Sequence, residues 1–209
     1  MIDLLPLATY CFVMSCTPGP NNLMLATSAA NFGYRASVPQ LFGCQFGVAV
    51  HTFIACLGLG TVFVIFPDLH NILHMLGALY LIYLAYKLSR MSMSKSRTDL
   101  PWSFTQAALF QAVNPKSWMK AITLATLFMP SDLNVMIGAL LLTLVGLVIG
   151  LPTMSIWAAF GMVIRRFLSK PLYLYAFNFM MGAVLIALAL HFLHQAGYLA
   201  YSSIAISMR

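Results

Sequence analysis

The chain has 209 residues, of which 61% are hydrophobic and only 7% charged, with a formal net charge of +7. An ordinary soluble domain carries roughly 25% charged residues, so that class is excluded. Glutamate is absent and the basic residues fall in short connections between apolar runs, a placement that suits membrane orientation and leaves no polar surface for nucleic acid.

At about 20 residues per crossing, this length accommodates about six helices and no soluble domain. Taken in order, the first expected span covers Leu4 to Ala30 and is interrupted by Thr17-Pro18-Gly19-Pro20-Asn21-Asn22. Its N-terminus lacks the positive region of a signal peptide, so it is expected to stay as a span. The second runs from Pro39 to Phe66 with Gly43, Gly47, Gly58 and Gly60, and the third from Ile72 to Leu88. The fourth covers Phe104 to Met129 and contains a second break, Asn114-Pro115-Lys116. The fifth, Leu133 to Ile164, is long, with Gly150 and Pro152 offering a kink. The sixth covers Leu172 to Leu193, and the mildly apolar tail 196–209 has no assigned place.

Arg35, Lys87, Arg90, Lys95, Arg97, Arg165, Arg166 and Lys170 lie in the first, third and fifth connections, and only Arg209 lies on the other side. The positive-inside rule then puts both termini outside. Cys11, Cys16, Cys44 and Cys56 sit in apolar runs without CxxC spacing, which reads as buried small hydrophobes. No cofactor or metal is expected, because the spans hold no cluster of acid, His or Cys ligands.

Three features recur in the same order. Thr17-Pro18 is matched by Asn114-Pro115, Gly43-x-x-x-Gly47 by Gly146-x-x-x-Gly150, and Gly77-Ala78 by Gly182-Ala183, at offsets of 97, 103 and 105. Duplicated halves of three spans must enter from opposite faces, which gives inverted repeats of about 1–95 and 100–195 in one domain, 1–209.

A mid-span proline interrupts a helix. Thr17 before Pro18 and Asn114 before Pro115 read as N-caps followed by proline at the first helical position. Each break would start a half-helix with free N–H groups and a positive dipole end, a ready anion site. Lys116 lies deep in its span at the positive end of its own half-helix, with no intramembrane carboxylate to pair with. A visiting substrate carboxylate is the favoured partner; a neutral lysine, or one bonded to backbone carbonyls, is the alternative. Lys120, one turn on, lines the path or rises to the outer interface. Asn21 and Asn22 add amides suited to substrate contact. His51, the one histidine well inside a span, is the candidate for proton coupling, with a packing role equally open. His70, His74, His191 and His194 are expected at interfaces, while Gln111, Thr123, Thr126, Thr153 and Asn178 are expected to make packing hydrogen bonds by default.

Thr17-Pro18-Gly19-Pro20-Asn21-Asn22, Asn31-Phe32-Gly33-Tyr34-Arg35, Leu57-Gly58-Leu59-Gly60, the run from Gly77 to Leu88, and Phe110-Gln111-Ala112-Val113-Asn114-Pro115-Lys116-Ser117-Trp118 together resemble the LysE/RhtB family of bacterial amino-acid exporters. The resemblance implies a secondary transporter of the bacterial inner membrane, driven by the proton-motive force and exporting small amino acids. The direction of transport comes from the resemblance alone. A cationic side chain would need a carboxylate in the site, and none is available, so the neutral branch (homoserine, threonine, cysteine-type efflux) is favoured. Lys120 departs from the apolar residue expected there.

The expectation is therefore an all-α membrane protein with six transmembrane helices in two inverted three-helix repeats, the first and fourth broken at proline. Pro18, Gly19, Pro20, Asn21, Asn22, Asn114, Pro115, Lys116 and Lys120 form the expected substrate site. The partners are a small amino acid and the bilayer, with a homo-oligomer left open. The alternatives are an exporter of another solute or a metal ion, or a non-transporting scaffold. An intramembrane enzyme would need a nucleophile with its base, or a metal cluster, and neither is present.

Overall fold

A computed structural model of the protein describes residues 3–59, 65–66, 68–89, 101–167 and 171–207, and every regular element among them is helical. Residues 60–64 of the second expected span lie outside the described residues, as do Arg90, Lys95, Arg97, Lys170 and Arg209.

The first apolar run forms α1, Leu4–Cys16, whose N-terminus is capped by Asp3 accepting from the Leu5 N–H at 3.1 Å. After Thr17–Gly19 the chain restarts as α2, Pro20–Phe32. A single residue, Gly33, separates α2 from α3, Tyr34–Ile54. Its φ of 92° lies in the left-handed region that favours glycine. The Arg165 guanidinium also occupies the space a side chain would need, its Nη1 lying 2.7 Å from where a Cβ would stand. A π-helical turn, Ala55–Leu59, prolongs α3. Next come α4, Asp68–Ser89, and α5, Phe104–Phe110, the latter opened by a capping box between Ser103 and Gln106. A 3-10 turn over Gln111–Val113 leads to α6, Pro115–Leu127, followed by α7, Val135–Phe167, and α8, Pro171–Ser207. The tail thus continues the last helix. α7 runs through Pro152 as one helix, and the Thr153 hydroxyl donates to the Ile149 and Gly150 carbonyls at 2.9 Å each.

Four stretches are long and apolar enough to cross a bilayer: Tyr34–Leu59, Asn71–Ser89, Val135–Phe167 and Leu172–His194. They carry apolar side chains outward, among them Phe46, Leu79, Leu144, Val148 and Leu190, as a lipid-facing surface requires. The protein is an all-helical, multi-pass membrane protein. By contrast, α1, α2 and α6 have thirteen residues each. Each is about 20 Å long, short of the roughly 30 Å hydrocarbon core.

Each of the long helices α3 and α7 packs across the pieces of a broken run. α3 lies against α5 and α6, and α7 against α1 and α2, while α4 and α8 form the most extensive pair. The glycines of the first GxxxG face α5, since a Cβ on Gly43 would stand 2.2 Å from the Phe104 carbonyl oxygen and one on Gly47 2.4 Å from Gln111 Cγ. Gly161 of α7 meets the Ala26 carbonyl of α2 in the same way, at 2.0 Å. These are close interhelical approaches that small residues permit in a membrane. Gly150 leaves room for Gln45, whereas Gly146 faces open space. His74 departs from its expected interfacial place. It is buried, with its ring 5.7 Å from that of Phe192, because the α4–α8 packing extends over it.

Candidate functional site

The two breaks differ in register from each other and, at the first, from expectation. Thr17 does not cap the second half-helix. It closes α1 instead, its N–H and hydroxyl both donating to the Val13 carbonyl. The restart falls at Pro20, with Gly19 at the N-cap and no side chain capping α2. Pro18 therefore lies in the connection rather than at the first helical position, because the Thr-Pro-Gly-Pro run offers two prolines and the chain uses the second. At the other break the expected register is observed. Asn114 is the N-cap, Pro115 the first helical residue, and the Asn114 Oδ1 accepts from the Lys116 N–H at 3.2 Å.

Ending α1 within an apolar run leaves carbonyls that need donors. Side chains supply them in sequence. Asn22 Nδ2 donates to Ser15 O at 2.8 Å and Thr17 O at 3.0 Å, and Trp157 Nε1 donates to Cys16 O at 3.3 Å. Lys116 Nζ reaches across from α6 to Thr17 O at 2.6 Å and Pro18 O at 3.3 Å. The expectation of a visiting anion as the partner of Lys116 is thus modified. The ammonium lies at the negative end of α1, which offsets its unfavourable place at the positive end of α6. Of the alternatives read from sequence, bonding to backbone carbonyls is the one observed.

A cluster of amides ties the breaks together. Asn21 and Gln111 exchange two hydrogen bonds, each 3.0 Å, and Asn114 Nδ2 donates to Asn21 Oδ1 at 3.1 Å and Gln111 Oε1 at 3.2 Å. Further along α2, Asn31 and Asn178 of α8 exchange amide bonds of 2.9 and 3.1 Å. Asn178 therefore makes the interhelical bond expected of it. The hydroxyl of Thr126 donates within its own helix, at 2.9 Å to Ile122 O.

Between the breaks lies a cavity of about 50 Å³ whose wall includes Gly19, Asn21, Asn22, Asn114, Lys116 and Lys120. Ser15, Gln45 and Ser117 complete its polar lining, and Met14, Val48 and Met154 its apolar side. No carboxylate lines it. Lys120 is buried and donates to Ser15 Oγ at 3.1 Å, so it lines this space and does not rise to an interface. Gly19 gives Lys116 its path, since a Cβ there would stand 2.8 Å from Lys116 Cδ and 3.0 Å from Nζ. His51 is buried behind this wall, its Nδ1 3.2 Å from Ser117 Oγ and its ring stacked 4.0 Å from that of Trp118. Trp118 Nε1 in turn donates to Ala112 O at 3.0 Å.

Of the residues expected at a site, Gly19, Asn21, Asn22, Asn114, Lys116 and Lys120 share this wall. Pro18, Pro20 and Pro115 shape the breaks without lining it, and His51 meets it only through Ser117. Met14, Ser15, Gln45, Val48, Ser117 and Met154 were not expected there. Ser15 sits three residues before Pro18, and Ser117 follows Lys116 directly. Proximity to a break was the available signal for those two.

Residues 12–196 match the family described as LysE type translocator. The chain belongs to the LysE family. Among its curated relatives in that family is a cysteine/O-acetylserine efflux protein of Salmonella choleraesuis (strain SC-B67), 33% identical over 144 residues, 66% of this chain and 73% of the relative. The protein of that name from Escherichia coli (strain K12) is 31% identical over the same shares. No solved structure matches. Membership makes this LysE chain a translocator rather than an enzyme.

Proposed function

We propose that the protein exports small neutral amino acids across the bacterial inner membrane, and that the cavity between the breaks is its substrate site. One observation carries the reading. Two lysines and an uncapped helix N-terminus meet in one cavity with no carboxylate in its wall. The N–H groups and dipole of α2 favour an anion there, and Lys116 and Lys120 add two positive charges. A substrate carboxylate docked on them would release Lys116 from the Thr17 and Pro18 carbonyls, so binding would alter how the two breaks are held together. The apolar side formed by Met14, Val48 and Met154 suits a short side chain. An acid for a cationic side chain is missing from the wall, which favours neutral substrates. Cysteine and O-acetylserine, named for the relatives, are of this class.

We further read the two-piece elements α1–α2 and α5–α6 as broken spans, giving six crossings in two inverted halves within one domain. The exchange of partners, α3 on α5–α6 and α7 on α1–α2, supports that symmetry. The basic connections then face inward and both termini outward. His51, bonded to Ser117 in the cavity wall, is the group proposed to couple transport to the proton gradient.

The test is transport by the purified full-length chain in liposomes. Labelled O-acetyl-L-serine and L-cysteine should move against their gradients when a proton gradient is imposed. No movement across a broad panel of neutral amino acids would overturn the reading.

A further inference from the structure

A second cavity, about 50 Å³ in volume, lies nearer the basic connections, between α2, α3, α4 and the approach to α5. Its polar wall consists of Thr27, Ser28, Asn31, Gln40 and Lys87, with Trp102 beside them. Gln40 sets it apart. The residue is 0% exposed, and neither its Oε1 nor its Nε2 has a hydrogen-bond partner. Asn22, Gln111, Asn114 and Asn178, also buried amides, have partners. A buried amide without partners is costly, and such groups in native proteins call for an occupant. Lys87 is exposed at the rim of the same cavity.

An apolar cluster borders both cavities, since Met154 lines the central one and Trp102, packed against the cluster, lines the second. On α2 the two linings nearly meet, at Asn22 of the central cavity and Met24 of the second. On α3, Leu41 and Cys44 fall between Gln40 and Gln45. On α5, Ala107 falls between Trp102 and the Gln111 turn. Leu25, Leu41, Cys44 and Ala107 belong to one buried cluster with Met154. Two polar pockets are thus stacked along α2.

We propose that the second cavity is an inner docking site for the same zwitterionic amino acid, in which Lys87 receives the carboxylate and the Gln40 carbonyl oxygen accepts from the α-ammonium. The assignment rests on the export reading above. A solute arriving from the side of the basic connections meets this site first, and the central cavity follows along α2. The free space is on the scale of water, so docking also displaces the Lys87 chain from the mouth.

The experiment uses the full chain in liposomes with labelled O-acetyl-L-serine supplied on the side of the basic connections. Gln40→Met should raise KM about tenfold, corresponding to one lost hydrogen-bonded partner, with a smaller change in maximal rate and no loss of thermal stability. Lys87→Met should raise KM comparably, and Lys87→Arg should restore it. Gln40→Asn keeps the amide but withdraws it by one methylene, and should also raise KM if the methionine variant fails to fold. Trp102 fluorescence should respond to O-acetyl-L-serine in the unaltered protein and respond only at higher concentration in Gln40→Met. A KM within about twofold of normal in folded Gln40→Met or Gln40→Asn overturns the inner site. With that result, loss of transport in Lys116→Ala in the same preparation would leave the central reading standing. If the unaltered protein moves no neutral amino acid, both fall together.

Discussion

The two breaks do the same thing to the chain and leave opposite surfaces behind. At the second, Asn114 caps α6 with its own side chain and is buried to 1% exposure. That helix end is closed. At the first, the N-cap is Gly19, which has no side chain to offer, and α2 begins uncapped beside the cavity. The carbonyls behind it are taken by side chains from elsewhere, Lys116 among them. Two helix ends of equal dipole therefore differ in availability. The self-capped break supplies the lysines, and the uncapped break supplies the N–H groups. In the proposed site, one break would then contribute the charge and the other the open helix end.

Removing the amine that joins them should have the largest effect. Lys116→Ala is expected to lower transport by about a hundredfold or more while the protein still inserts, since an oriented charge lost from a low-dielectric site is worth several kcal/mol. Flux measured in liposomes checks it, and normal flux would show that the first break receives nothing. Gly19→Ser tests the same half from the other side. A serine gives α2 the cap it lacks, and its Cβ presses on Lys116 Cδ, 2.8 Å away. We expect transport to fall roughly tenfold with stability nearly unchanged, as a serine cap gains only about a few tenths of a kcal/mol over glycine. Unaltered transport in that variant would mean the open helix end is not used. His51→Gln addresses the second break through Ser117. Transport driven by a proton gradient should fall several-fold, while exchange of labelled for unlabelled substrate at equal pH persists. Equal loss of both would make His51 a packing residue stacked on Trp118.

Legibility in the sequence followed the range of the interactions. The second break was readable because its cap and proline are adjacent residues whose chemistry is local. The first was misplaced by two residues, since Thr17-Pro18 and Gly19-Pro20 both look like a start, and only the bond from Thr17 to Val13 decides against the earlier one. The partner of Lys116 was not readable as a particular site. It is a pair of backbone carbonyls 99 and 98 residues away, and a carbonyl leaves no mark in a sequence. The pairing of Asn31 with Asn178 spans 147 residues and was equally invisible, although the polar residues themselves stood out against apolar helices. Composition sufficed for the membrane class because lipid tolerates so few charged groups. It gave no access to the Gln40 cavity, whose interest lies in bonds the residue does not make.

The smallest expected effect separates the two jobs of Asn114. Its Oδ1 caps α6 through the Lys116 N–H, and its Nδ2 bonds Asn21 and Gln111 at the first break. Asn114→Ala removes both and should cost about 1–2 kcal/mol of stability, within the range for a lost cap. Asn114→Ser keeps an oxygen for the cap and drops the bridge. If the breaks are held as a pair, serine should recover only the capping share, and its melting temperature should lie between those of alanine and asparagine. Replacing Asn21 by Ala in the Asn114→Ser background should then cost less than it does in the unaltered chain, because their shared bond is already gone. Full recovery by serine, with strictly additive loss from Asn21→Ala, would mean the amide bridge carries no load. The closed break and the open one would then be joined through Lys116 and the Asn21–Gln111 pair, and any mechanical route between them would run through those bonds.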